Sequence, residues 1–436
     1  MKIIVLLLSI LVSTLSFAKV TETRLSNGLK IIIKEDHRFP VMVSQIWYKV
    51  GSSYEYGGLT GLSHMLEHMM FKGTKNLKPK EFSQIISANG GRQNAFTGRD
   101  YTAYFQRMSN DKYPISFKLE SDRMRNLLLE ESEFKKERDV VTEERRMRTE
   151  DNPISLAYEQ FFATAYVNSP YHHPVIGWAE DIKNYQLEDL QTWYKKWYAP
   201  NNATLVVVGD VKPEEVIFSA TKWFSSIPKS ELTLPKPQTE ISVLGEKSIS
   251  VYSEKVKVPT IIMGYFVPSI KTSQEKWEPY ALEVLAYILD GGKSSRLNKE
   301  LVRDKKIASS IGLGYDPLGR LSGLFTIQAT PTDQHDIATL KKEILFQLDR
   351  VKTQLVNQSE INRIITKLVA QQTYEKDSIF YQAMKIGQAE TVGLSWKDAE
   401  SFVDKIKLVT AEQVKQVAIK YLQHDKLITT VLKTKK

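Results

Sequence analysis

The 436 residues are 42% hydrophobic and 25% charged, the make-up of an ordinary globular protein with room for about two domains. The net charge of +9 is dispersed, mostly as Lys, with no Arg-rich run interleaved with aromatics, which argues against nucleic acid as a partner. The absence of cysteine excludes disulfides and thiolate metal ligands, so a metal could be held only by His, Asp or Glu.

The chain opens with Lys2, an apolar run from Ile3 to Phe17, and small residues at Ser16 and Ala18. This pattern predicts a Sec-type leader cleaved after Ala18, and hence a periplasmic or secreted protein. No later stretch is apolar enough to suggest a membrane span. Residues 21–34 read as a hairpin about Ser26-Asn27-Gly28, and residues 41–50 as a strand. Gly57-Gly58-Leu59-Thr60-Gly61 reads as a loop, with Thr60 expected to cap a helix that carries His64. Residues 79–88 read as helix, 93–108 as alternating strand, 112–148 as charged helix and 189–197 as helix. Ala203 to Val208 reads as a buried strand.

A polar, proline-rich linker from Ile227 to Pro237 predicts a domain boundary near residue 230, giving domains at 19–229 and 230–436 after a leader at 1–18. The second half repeats the order of the first: strand 260–267, helix 277–289, strand-like runs at 311–315 and 323–328, helices across 336–421, and a closing strand at 427–432. Laid on one another without gaps, Glu283-Val284-Leu285-Ala286-Tyr287 falls on His64-Met65-Leu66-Glu67-His68, so the second half is expected to be a copy without metal ligands.

The segment His64-Met65-Leu66-Glu67-His68 carries the chemistry. Two His four apart lie on one face of a helix and can reach one metal ion. Glu67 stands at the edge of that face, within reach of a water on the metal. Imidazoles suit Zn²⁺, and a catalytic zinc needs a third protein ligand and an open position. The order H-x-x-E-H is the inverse of the H-E-x-x-H zinc-protease motif. His172 and His173 are adjacent in a Pro-flanked loop and cannot imitate the helical pair, so they read as structural or substrate-side.

The motif comes with further stretches: Trp47-Tyr48-Lys49-Val50-Gly51-Ser52, Phe71-Lys72-Gly73-Thr74, Asn94-Ala95-Phe96-Thr97 with Asp100-Tyr101-Thr102, Tyr198-Ala199-Pro200-Asn201-Asn202, and Asp290-Gly291-Gly292-Lys293-Ser294-Ser295-Arg296-Leu297. Together they resemble the pitrilysin family of zinc peptidases, the inverzincins. Bacterial members similar to the β subunit of the mitochondrial processing peptidase resemble this chain most. The resemblance covers nearly all of the mature chain. It implies an α+β fold of two homologous repeats, each a mixed, mostly antiparallel β-sheet packed with α-helices (the LuxS/processing-peptidase-like metallohydrolase fold). It implies one Zn²⁺ per chain and hydrolysis of peptides, with Glu67 as general base. It places the third ligand about 76 residues after His68, where the sequence alone leaves Glu143 and Glu144 open; the family's helper Glu seven residues before the ligand, two helical turns, favours Glu144 as ligand and Glu137 as the group that orients a ligand. Asn94, Ala95 and Phe96 match the family's substrate-holding edge strand.

One position departs from the pattern. Complete family members carry an Arg and a Tyr seven apart in the second half; here the Arg is Arg303 and the Tyr position is Ser310. In two-chain members one subunit carries the zinc motif and the other the Arg/Tyr pair. The resemblance therefore implies a homologous zinc-less partner, with a homodimer as the alternative. A non-catalytic, structural or peptide-binding subunit of a processing-peptidase-like complex is the competing function.

Overall fold

The computed structural model describes residues 19–236, 238–241 and 245–435; the expected leader lies outside the described residues. Two mixed sheets organise the chain. The first contains β1 (Val20–Arg24), β2 (Lys30–Glu35), β3 (Val41–Tyr48), β4 (Arg92–Thr97), β5 (Thr102–Ser109) and β6 (Ala203–Gly209), in the order β1-β2-β6-β3-β5-β4. The second contains β7 (Lys247–Ser253), β8 (Thr260–Val267), β9 (Ala308–Gly314), β10 (Gly323–Pro331) and β11 (Ile428–Thr434), in the order β7-β11-β8-β10-β9. Each has one parallel pair, β2 with β6 and β7 with β11, and is otherwise antiparallel. With β1 set aside the two orders are the same, so the halves are structural repeats, as the resemblance implied. In that correspondence β9 stands for β4, and helix Glu278–Asp290 follows β8 as helix Leu62–Met69 follows β3.

Central strands are buried on both faces and so read as nearly continuous apolar runs. On β3, Met42, Ile46 and Tyr48 enter the core under the helices, while Val43 and Trp47 face the opposite side. That opposite side is covered by helix Ile379–Thr391 of the second half, whose Ala383 and Ile386 meet Ile32, Val43, Trp47 and Val206. Reciprocally, helix Pro153–Ala165 of the first half lies on β7 and β11, with Phe161 buried beside Ile262 and Ile428. Each crossing is made close by a glycine. A Cβ on Gly387 would lie 2.0 Å from the Trp47 indole, and one on Gly264 would lie 2.5 Å from the Phe161 ring. The sheets thus fall on either side of the chain segment between Gly209 and Lys247, but each half finishes the other's core. Among the described residues, no helix is long and apolar enough to cross a membrane.

Candidate metal centre

Helix Leu62–Met69 starts at Gly61, whose φ of 90° and close approach to Ile176 leave no room for a side chain. Its first N–H groups are not capped by Thr60. The Glu55 carboxylate accepts the N–H of Gly61 and of Ser63, both at 2.7 Å, while the Thr60 hydroxyl donates to Asp181 at 2.6 Å. A cap from an upstream loop has no local spacing signature, which is why the sequence pointed to Thr60. Leu62, Met65, Leu66 and Met69 are fully buried and fix the helix's rotation. The other face then presents His64 and His68, with ring centroids 4.7 Å apart, to helix Glu131–Arg145.

There the Glu144 carboxylate meets both rings. Its oxygens lie 3.8 Å from His64 Nε2 and 3.2 Å from His68 Nε2. Among the described residues, these three form the one group of His, Asp or Glu with the spacing of a metal site, with donor atoms all within 4.8 Å of one another. Glu143, the alternative in the sequence, is exposed and pairs with Arg146 at 2.6 Å. The donor set fits zinc. Two imidazole nitrogens and one carboxylate oxygen, converging within 4.8 Å, are the donor types that would hold a catalytic zinc. Burial, with help from His68 and Arg148, pushes the His64 pKa down to about 3, so this imidazole is neutral and ready to donate its lone pair.

Glu137 lies behind His68 and accepts from its Nδ1 at 2.9 Å, with Lys72 paired to its other oxygen. Burial raises the Glu137 pKa, but His68 and Lys72 outweigh it and hold the carboxyl below its usual range. An ionised Glu137 keeps the proton on Nδ1 and turns Nε2 towards Glu144. Glu137→Gln is expected to weaken zinc binding by about 10- to 100-fold, read by competition with a chromophoric chelator. An unchanged affinity would show that His68 needs no orienting partner.

Glu67 is held by the Thr97 hydroxyl from β4, and burial pushes its pKa up. The sequence assigns Thr97 no role; its signal is its parity with Ala95, which also packs on the helix side of the sheet. By the strand's period of two, Asn94 and Phe96 face the other way. Phe96 packs edge-on against Trp47 at 5.3 Å, and Asn94 is exposed, its side chain accepting the Ala95 N–H at 2.9 Å. These residues can serve substrate through the backbone of the edge strand, not through an inward-pointing Phe96 ring. Arg148, one turn beyond Glu144, pairs with its carboxylate at 2.6 Å. Nothing in the sequence sets it apart from the other charges of that helix.

Beside the metal centre a cavity of about 720 Å³ opens between the two halves, with Arg148 in its wall. Arg99, His172, Tyr315 and Asp316 also line it. Arg303 does not, nor does Ser310. Both are exposed, Arg303 on a π-helical turn (Asn298–Asp304) and Ser310 on edge strand β9. The structure therefore does not bring Arg303 into the cavity wall. Tyr315 is no stand-in for the family Tyr, because its hydroxyl donates to the Pro268 carbonyl at 2.7 Å.

Two family descriptions match in tandem: Insulinase (Peptidase family M16) over residues 30–178 and Peptidase M16 inactive domain over residues 184–368. The zinc protease PqqE of Helicobacter pylori is 36% identical over 343 residues, 78% of this chain and 76% of that one. The chain belongs to peptidase family M16, the pitrilysin family. A crystal structure of a protease from Helicobacter pylori superposes with a TM-score of 0.90 at 32% identity, covering 96% of this chain and all of that one. An uncharacterised zinc protease of Rickettsia felis is 28% identical over 399 residues, 91% of this chain and 94% of its own length.

Proposed function

We propose that this chain is a zinc-dependent endopeptidase that cleaves peptides or unfolded segments in the periplasm or outside the cell. The observation that carries this reading is the convergence of His64, His68 and Glu144, with the Glu67 carboxyl beside them. His64, His68 and Glu144 would hold the metal, and bound zinc would supply Lewis acidity to the peptide carbonyl and acidify water. Glu67 takes the proton of the attacking water and returns it to the leaving amine, a role suited to a carboxyl whose pKa burial has raised. The open edge of β4 holds an extended peptide by backbone hydrogen bonds. The expected leader supports the location.

The chain works as the zinc-bearing member of a pair. Ser310 lacks the phenol of the family pattern, and both it and Arg303 lie outside the cavity wall, so a homologous zinc-less chain would supply the Arg/Tyr pair; a second copy of this chain is the alternative. The M16 inactive-domain match and Ser310 also favour a competing reading, a peptide-binding subunit without catalysis. The two part on one experiment. Chelation is expected to abolish hydrolysis of an unstructured peptide, and stoichiometric zinc to restore it. Adding the homologous subunit is expected to raise the rate by about 10²–10³-fold, the usual value of an oxyanion donor. Hydrolysis indifferent to chelation would end the zinc reading, and full activity of the lone chain would end the pairing.

A further inference from the structure

Among the charged groups on the cavity wall, Arg99 is distinctive because it has no charged partner among the described residues. Asp100 is bonded by Arg320 at 3.2 Å, Glu159 by Arg145 at 2.8 Å, and Arg148 is paired with Glu144 at 2.6 Å. Among the described residues the Arg99 side chain makes no ion pair and no hydrogen bond, yet it is half-buried. Asp316 lines the same cavity, but its carboxylate accepts the Leu318 N–H at 2.9 Å and forms no ion pair with Arg99.

Aromatic rings hold Arg99 instead. Its guanidinium carbon lies 4.3 Å from the centroid of Phe162 and 5.3 Å from that of Tyr171. Both rings are themselves fixed. Phe162 stacks with Tyr158 and Tyr166, at 6.1 and 6.3 Å, and the Tyr171 hydroxyl donates to Asp100 and accepts the Leu321 N–H at 3.0 Å. A guanidinium held over rings, with no hydrogen-bond acceptor of its own among the described residues, keeps its N–H groups free for the planar, bidentate geometry of a carboxylate. Stacking also removes much of the conformational freedom that binding would otherwise have to freeze.

The position matters as much as the chemistry. Arg99 follows Thr97, the residue that holds Glu67, by two places at the end of edge strand β4. Two residues span at most about 7 Å. A peptide laid along β4 with its scissile bond at Glu67 would therefore carry a side chain, or its terminus, past Arg99 within about two residues of the cleaved bond.

We propose that Arg99 is a specificity-determining subsite that takes a carboxylate of the bound peptide, supplied by an Asp or Glu side chain near the scissile bond or by the peptide's C-terminus. The proposal rests on the peptidase reading for its substrate, but binding alone can test it. The test uses the zinc-loaded Glu67→Gln protein and fluorescently labelled unstructured peptides. One pair differs only as Glu against Gln at each position flanking the scissile bond; a second pair differs only as a free against an amidated C-terminus.

The carboxylate peptide of at least one pair is expected to bind about 10- to 100-fold tighter than its neutral counterpart, the range of a charge-assisted hydrogen bond. Which pair shows the difference identifies the source of the carboxylate. Adding Arg99→Gln is expected to erase the ratio, and Arg99→Glu to turn the preference towards a Lys peptide. Arg99→Lys keeps the charge and the contact with the rings but loses the bidentate edge, so an intermediate ratio is expected. A purely structural Arg99 would weaken both members of a pair alike. Equal binding within both pairs, no binding of any peptide, or a ratio that survives Arg99→Gln in a folded protein would overturn the subsite. Absence of hydrolysis by the unmutated chain, with the binding ratio intact, would instead remove the peptidase reading and leave the subsite standing.

Discussion

Glu67→Gln is expected to leave zinc bound and to cut peptide hydrolysis by about 10²–10⁴-fold, the range of a lost general base. Glu67 is not among the three converging donors, so its amide should not cost metal. The Thr97 hydroxyl can donate to an amide oxygen as it does to the carboxylate, so the side chain should stay in place. What the amide cannot do is accept the water's proton. The loss should therefore fall on kcat, with KM nearly unchanged. Metal content and kcat measured on one preparation decide the matter. Zinc lost together with activity would make Glu67 a ligand, and hydrolysis that survives would take the proton transfer away from it.

The parts of this site that could be read from the sequence are those set by local periodicity. The four-residue step from His64 to His68 places both imidazoles on one helix face by periodicity alone, whereas the choice of Glu144 with Glu137 two turns earlier needed the family pattern; the fold brings the two faces together. Edge strand β4 is legible in the same way, through its alternation, although the direction of Phe96 is settled only by Trp47 on the far side of the sheet. Groups set by distant contacts were not legible. Glu55 caps the zinc helix from a loop, Arg99 is stacked on rings 63 and 72 positions away, and the exchanged helices depend on glycines whose clearance only the packed structure reveals. Strand β7 is not legible because it lies at the edge of its sheet beside β11 alone, three of its seven residues are exposed, and four of the seven are Ser or Lys.

The same long-range contacts predict the largest effect on stability. Asp100 is almost fully buried and its carboxylate accepts four donors: the Ser53 hydroxyl at 2.6 Å, the Tyr171 hydroxyl, and the backbone N–H and Nε–H of Arg320 at 2.9 and 3.2 Å. Arg320 belongs to the second half and also lies 4.3 Å over the Tyr54 ring, so Asp100 ties the β4–β5 turn to the loop before β10. Burial and Asp100 together push the Tyr171 pKa far up, so that phenol remains a donor at every accessible pH. Asp100→Ala removes the anion and leaves the Nε–H and backbone N–H of half-buried Arg320, the Tyr171 phenol and the Ser53 hydroxyl without this acceptor, while Arg320 Nη2 keeps its bonds to Ser53. The expected cost is about 3–5 kcal/mol, the range for breaking a buried pair from one side. It should appear as a lower urea midpoint at an unchanged slope. A loss below about 1 kcal/mol would mean that water reaches these groups as readily as it reaches a surface ion pair. The turn released by this change also carries Arg99 and leads directly from Thr97, so the variant should lose activity beyond its folded fraction. The junction between the halves and the position of Glu67 are then held by the same carboxylate.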